Sequence, residues 1–107
     1  MTKLQKKIFG LIGIAKKSHN LVSGEFSTEK TVKNRDAFLV IIAEDASDNT
    51  KKKFKNMCTY YEVPIYFFGN KTQLGHAIGK SFRASLAVLD NGIASTIEEQ
   101  LKMIQEN

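Results

Sequence analysis

The sequence predicts an α/β protein, a three-layer α/β/α sandwich around a small mixed sheet of about four strands. Short apolar runs rich in β-branched residues alternate with longer segments whose apolar residues recur every three or four positions. Each longer segment has a single apolar stripe, so its helix should cover one face of a shared sheet. A chain of 107 residues with 42% hydrophobic composition suits one domain, residues 1–107.

The first two helices are predicted on either side of a short extended step. Apolar residues recur at helical spacing from Leu4 to Ala15, with lysines at many of the other positions. The segment "NLV" is long enough only for a strand-like step. The "SGE" that follows predicts a second helix reaching Asn34, with Ser23 as a candidate cap and Glu25 in the first turn.

The rest of the chain predicts three strands and three helices. The unalternating apolar run at 37–43 is typical of a central strand covered on both faces. Pro64 marks the entry to another strand, and Ser47 or Asp48 can cap the helix before it. The strands are predicted at 37–43, 65–68 and 84–90, and the helices at 49–63, 71–79 and 91–104.

Basic residues are concentrated in the first half of the chain. Residues 1–55 hold twelve Lys/Arg and six Asp/Glu, a net charge of +6, whereas residues 56–107 hold four and five, a net charge of −1. The total of +5 therefore favours a polyanionic partner on one basic face. The N-terminal apolar run, 8–15, is too short for a signal peptide or membrane span, so a cytoplasmic protein without a membrane partner is expected.

The sequence offers no catalytic or metal-binding set, so we expect no enzyme, cofactor or metal. Cys58 lacks a second thiol or histidine at ligand spacing and is predicted to be a buried or half-buried structural thiol. His19 and His76 belong to no ligand cluster. The segment "GHAIGKS" at 75–81 resembles a phosphate-binding loop, but that loop has four residues between its glycines and follows a strand.

Two charged segments leave a structural and a functional interpretation open. Glu44 and Asp45 end the predicted central strand, where open α/β sheets place ligands. Neighbouring residues on an extended chain point apart, so Glu44 and Asp45 are not expected to act as a pair. They should instead solvate the turn and stabilise the N-terminus of the next helix, or orient a nearby basic side chain. The run "KKKFK" at 51–55 would spread around a helix as a solvated face or contact RNA.

The start of the second helix is a candidate anion site. Gly24, Ser27, Lys30 and Lys33 follow one another at three-residue steps, so the lysines share a face near unpaired backbone N–H groups. The amides, the helix dipole and the lysines would all favour a phosphate. These residues alone leave open whether the turn binds an anion or only begins a helix.

Four segments carry a further indication when they are taken in order: "GIAKKSHNLVSGEFSTEKTVKN", "FLVIIAEDAS", "CTYYEVPIYFFGNKTQLGHAIGK" and "LAVLD". Together they resemble the kink-turn-binding ribosomal protein family called L-seven-Ae/L-thirty-e, most closely its small bacterial members of the YlxQ type. The resemblance implies a non-enzymatic protein that recognises structured RNA, a kink-turn or ribosomal RNA, in a ribosome- or translation-related setting. We expect it to be a monomer.

The resemblance also implies two groups of RNA-binding residues. Family members place the start of the second helix in the RNA major groove and cover flipped-out bases with the loop before the last strand. The first group is Ser23, Gly24, Glu25, Phe26, Ser27, Lys30 and Lys33. The second is Lys80, Phe82, Arg83 and Ala84, and Glu44 is added at the end of the central strand.

One pair departs from the family pattern. Archaeal and eukaryotic members read guanines with an Asn-Glu pair, where this chain has Phe26 and Ser27. Backbone amides, Ser27 and lysines remain for recognition, so weaker affinity or sequence discrimination is expected. The alternatives are Phe26 packed inward, Phe82 in the core, and a protein-interaction module whose RNA surface has decayed.

Overall fold

A computed structural model describes residues 1–105, in which helices alternate with strands. The elements are α1 (Lys3–Lys17), β1 (Leu21–Ser23), α2 (Glu25–Lys33), β2 (Leu39–Ile42), α3 (Asp48–Tyr61), β3 (Ile65–Phe67), α4 (Lys71–Ala77), β4 (Ser85–Val88) and α5 (Asn91–Gln105). Helix α1 packs on α4 and α5, and α2 packs on α3, with the sheet between the two groups. The predicted α/β/α sandwich is confirmed. None of the described helices is long and apolar enough to cross a membrane.

The sheet is mixed, as the sequence predicts, with the strand order β1-β4-β2-β3. Strand β4 runs antiparallel to β1 and β2, whereas β2 and β3 are parallel. Ser23 pairs with Leu86, and Ile42 pairs with both Ser85 and Phe67. The ends of β1, β2 and β3 therefore meet the beginning of β4 at one edge, which we call the Ser85 edge.

Both central strands are buried along their whole length, which explains their unalternating apolar sequences. Helix α3 packs Phe54 and Cys58 into the core, which also receives the apolar stripes of α1 and α5. Cys58 is buried, as predicted, and this burial raises the pKa of its thiol to about 11. Such a thiol stays protonated and inert near neutral pH.

Several elements end earlier than their apolar runs predict. Helix α3 stops at Tyr61 because Glu62 adopts a left-handed conformation with φ 58°. Helix α4 stops at Ala77, and Gly79 then takes φ 74°. Ser47 begins α3 as predicted, with its hydroxyl accepting a hydrogen bond from the Thr50 N–H. Apolar periodicity locates each element, but backbone turns set its ends.

A close approach between α4 and the loop at 79–84 depends on Gly75. A Cβ at this buried position would lie 2.5 Å from Phe82 Cα and 2.6 Å from Phe82 N. The Gly75 carbonyl also accepts a hydrogen bond from the Lys80 N–H at 2.8 Å. Glycine is required here so that the loop can lie directly on the helix.

Gly75→Ala is expected to destabilise the protein and shift the loop at 79–84, because the added methyl overlaps the Phe82 main chain. Overpacking of this kind costs about 1–3 kcal/mol. The control is Gly10→Ala, since a Cβ at Gly10 meets nothing within 4 Å and alanine stabilises an exposed helix by about 0.5–1 kcal/mol. Urea denaturation measures the unfolding free energy of both variants. Equal values for Gly75→Ala and Gly10→Ala would contradict the close approach at Gly75.

Candidate nucleic-acid interface

Helix α2 begins at the Ser85 edge without a side-chain cap in the described part of the chain. Its N-cap is Gly24, whose φ of 93° lies in the region that favours glycine. By contrast, the side chains of Thr2, Ser47 and Asn70 accept hydrogen bonds at the starts of α1, α3 and α4. The first-turn amides of α2 are therefore left for an external acceptor.

The prediction that Ser23 caps α2 is wrong, because Ser23 ends β1 and its hydroxyl binds another partner. Arg83 Nε donates a hydrogen bond to Ser23 Oγ at 3.1 Å, across 60 positions of sequence. Arg83 also donates through Nη1 to the Phe82 carbonyl at 2.7 Å and through its backbone N–H to the Lys71 carbonyl at 2.9 Å. Arg83 thus fixes the loop at 79–84 to β1 and α4.

The start of α2 and this loop enclose a shared cleft of about 470 Å³. Its lining comprises Ser23, Gly24, Ala46, Ser47, Thr50, Lys71, Phe82, Arg83 and Ala84. Five of the predicted site residues are among them, drawn from two segments that are distant in sequence. Amide donors, Arg83 and Lys71 make the cleft suited to an anion, and Phe82 adds an aromatic wall. We call this feature the Gly24 cleft.

Two aromatic side chains at the interface are exposed to solvent. Phe26, in the first turn of α2, is 79% exposed, and Phe82 is 61% exposed. The alternatives that placed either ring in the core are therefore wrong. Phe26 lines a second depression of about 360 Å³ together with Glu29, Lys30 and Lys33. Exposed rings beside basic side chains are typical of surfaces on which nucleic-acid bases stack.

The lysines of α2 differ in their availability. Lys30 is exposed and has no ion-pair partner among residues 1–105. Lys33 Nζ instead lies 2.6 Å from Glu29 Oε2. Lys30 is therefore the lysine of α2 without an ion pair among the described residues, and Lys33 stays a predicted RNA contact that is paired with a carboxylate in the RNA-free protein.

Glu29 also connects α2 to α3. Lys53 Nζ lies 2.6 Å from Glu29 Oε1 and 3.3 Å from Glu25 Oε2. Hydrogen bonds from Lys33 and Lys53 lower the pKa of Glu29 to about 2, and the hydrogen bond to Glu29 raises the pKa of Lys53. Thr50 Oγ1 donates to Glu25 Oε1 at 3.3 Å. One lysine of the "KKKFK" run, Lys53, therefore contacts α2, although its side chain stays 37% exposed.

The structure does not bring Glu44 into the Gly24 cleft. Its side chain lines a separate depression with Phe9 and Gln73, although its backbone N–H donates to the Gly69 carbonyl at 2.7 Å. The neighbouring Asp45 was expected to favour α3. Its Oδ1 instead accepts a hydrogen bond from the Lys71 N–H of α4 at 2.9 Å, because both lie at the Ser85 edge.

Among the other predicted residues, Ser27 is half-buried in the first turn of α2, and Lys80 is exposed beside Gly79 outside the lining of the Gly24 cleft. Sequence reasoning missed Lys71 and Thr50, which reach this cleft from the starts of α4 and α3. Helices α3 and α4 each follow a strand that ends at the Ser85 edge. The strand order, had it been known, would have indicated that both residues lie near the cleft. Among the described residues, no group of three or more metal-ligating side chains occurs.

Comparison with known proteins places the chain in a family. A model of the ribosomal protein L7Ae/L30e/S12e/Gadd45 family matches residues 6–98. The chain is 42% identical over 89 residues to the RNA-binding protein YlxQ of Bacillus subtilis (strain 168), covering 83% of this chain and 89% of that protein. It is 37% identical over 98 residues to the RNA-binding protein YlxQ of Enterococcus faecium, covering 92% of this chain and 94% of that protein.

Solved structures show the same fold. A protein with unknown function from Bacillus halodurans matches with a TM-score of 0.87 at 35% identity, over 90% of this chain and 97% of that one. The Giardia lamblia 15.5kD RNA binding protein matches with a TM-score of 0.80 at 23% identity, over 99% of this chain and 91% of that one. Because the family model spans most of the sequence and both YlxQ proteins are more than a third identical, the chain belongs to the ribosomal protein L7Ae/L30e/S12e/Gadd45 family.

Proposed function

We propose that the chain is a non-enzymatic RNA-binding protein that recognises structured RNA of the kink-turn type. The observation that carries the proposal is the Gly24 cleft, where the uncapped start of α2 and the loop at 79–84 face the same space. Two relatives at 37–42% identity are named RNA-binding proteins, which supports RNA as the partner.

In this proposal the start of α2 holds the RNA backbone. The first-turn amides and the helix dipole attract a phosphate, and Lys30 adds a charge-assisted contact about one turn further along the helix. Arg83 lies across the cleft and is already oriented by Ser23, so little side-chain entropy would be lost on binding. These contacts position the RNA without reading its bases.

The exposed aromatic rings supply the second part of recognition. Phe82 would stack on a base that the bend leaves unpaired, as apolar loop residues do in single-stranded recognition. Phe26 carries no hydrogen-bonding group for a base edge, so the chain should read the shape of the RNA more than its sequence. A bent RNA can present a groove to α2 and, at the same time, an unstacked base to the loop at 79–84.

The proposal extends to the cellular role and location of the protein. Family membership favours a role on ribosomal or other translation-related RNA, which would place the protein in the cytoplasm. We propose that the chain acts as a monomer and as one RNA-binding domain, since the Gly24 cleft is built from one copy of the chain.

Titration with RNA tests the proposed specificity. The protein is expected to bind a kink-turn RNA tightly and to bind poorly to the same RNA after its sheared G·A pairs are replaced by Watson–Crick pairs. Replacement straightens the helix while keeping the phosphate charge, so only shape recognition separates the two. Fluorescence anisotropy at several salt concentrations measures both affinities.

Equal affinities for the two RNAs at moderate salt would reject kink-turn recognition and leave general polycation behaviour. A protein partner that survives nuclease treatment in a pulldown, without binding to either RNA, would support the protein-interaction module instead. The exposed Phe26 is the feature that such a module would use.

Lys30→Ala is expected to weaken kink-turn binding by about 1–2 kcal/mol, because an exposed contact should lie at the lower end of the range for hydrogen bonds to charged groups. Lys102→Ala is the control, because Lys102 is exposed on α5, which packs with α1 away from α2. Both variants lose one positive charge. Equal losses of affinity, with folding intact by circular dichroism, would show that the RNA binds elsewhere.

A further inference from the structure

The basic residues next to the Gly24 cleft are partly cancelled by acidic ones. Glu25, Glu29, Lys33 and Lys53 form a connected set of ion pairs with a formal charge of zero. We call this set the Glu29 network. Of the two lysines in α2, only Lys30 lies outside it. The half of the chain that carries the positive charge therefore presents fewer available cations near α2 than its composition suggests.

Glu29 is the centre of this network and lies on the proposed binding surface. Each of its carboxylate oxygens contacts a different lysine at 2.6 Å, one from α2 and one from α3. Its side chain remains 26% exposed and lines the same depression as Phe26 and Lys30. A carboxylate at this place repels phosphates and holds two lysines that would otherwise attract them.

Stabilisation of the fold explains this arrangement only in part, because exposed ion pairs typically add about 0–1 kcal/mol each. Lysines that reach phosphates release counterions from the nucleic acid, which strengthens binding irrespective of sequence. Straight RNA, which the Gly24 cleft does not fix in one orientation, can place its phosphates on any available lysine, so it gains more from such contacts than a kink-turn bound in the cleft does. A surface that recognises shape gains selectivity when such general contacts are limited. The position of Glu29 matches that requirement.

We infer that Glu29 is a specificity-determining residue, which limits binding to unbent RNA by holding Lys33 and Lys53 in ion pairs beside the Gly24 cleft. The inference rests on the proposed function. It assigns discrimination between bent and straight RNA to the α2 amides, Lys30 and the loop at 79–84, with general attraction kept low by Glu29.

Glu29→Gln tests the inference, since it removes the charge while keeping the side-chain length. The variant should bind the Watson–Crick control RNA more tightly than the wild type does, with a slope of log affinity against log salt that is steeper by about one to two, or roughly one for each released lysine. The ratio of kink-turn to control affinity should fall about threefold to tenfold. Anisotropy titrations over a salt series measure both quantities.

The matched control is Glu99→Gln, which removes the same charge from an exposed position on α5. It should change both affinities little and leave their ratio unchanged. A wild type that separates the two RNAs, together with a Glu29→Gln variant that behaves like Glu99→Gln, would overturn this inference alone. A wild type that does not separate the two RNAs would overturn the proposed function, and the inference with it.

A combined variant, Glu29→Gln with Lys33→Met and Lys53→Met, identifies the cause of any gain. If released lysines cause the tighter control binding, the gain should disappear when both are replaced. A gain that persists would show that the carboxylate acts only by direct repulsion, which overturns the role assigned to the ion pairs.

Acid titration of the RNA-free protein tests the network itself. The folded-state pKa of Glu29 is about 2, below its ordinary value of 4.5, because Lys33 and Lys53 donate to its carboxylate. Its contribution to stability is therefore present above pH 4.5 and is lost as the pH falls through about 2. The difference in unfolding free energy between the wild type and Glu29→Gln should shrink over that range. A difference independent of pH would show that the ion pairs do not form in solution.

Discussion

The pairing of β4 with both β1 and β2 is the constraint on which the site depends. All four residues of β4 are buried, so a shift of its register by one residue would reverse every side chain in a packed core. The observed register places Ser85 beside Ile42 and Leu86 beside Ser23. The start of α2, the end of β2 and the loop before β4 therefore meet at one edge.

Two features at the Ser85 edge are unfavourable for the stability of the fold. Helix α2 lacks a side-chain cap within the described residues, where a serine or aspartate in place of the N-cap glycine would typically add about a few tenths of a kcal/mol. Phe26 and Phe82 leave large apolar surfaces in water, although the core beneath them is closely packed. Features that weaken the fold while exposing donors and rings together are typical of binding sites.

Charge shows why composition is an incomplete guide to an electrostatic surface. The net charge of +5 and its concentration in residues 1–55 favour a polyanion, yet Lys33 and Lys53 are paired with Glu29. A lysine within 4 Å of a carboxylate contributes little field at a distance, because the two charges cancel. The arrangement of the cations, more than their number, decides what this surface attracts.

Local sequence patterns predict the order of the elements, the sandwich, a buried Cys58 and a helix start within one residue of Gly24, because periodicity and turn residues are local properties of the chain. Tertiary structure decided that Arg83 binds Ser23, that Lys53 pairs with Glu25 and Glu29, and that Glu44 lies outside the Gly24 cleft. These contacts join residues up to 60 positions apart. They depend on strand register and helix packing, which no local pattern specifies.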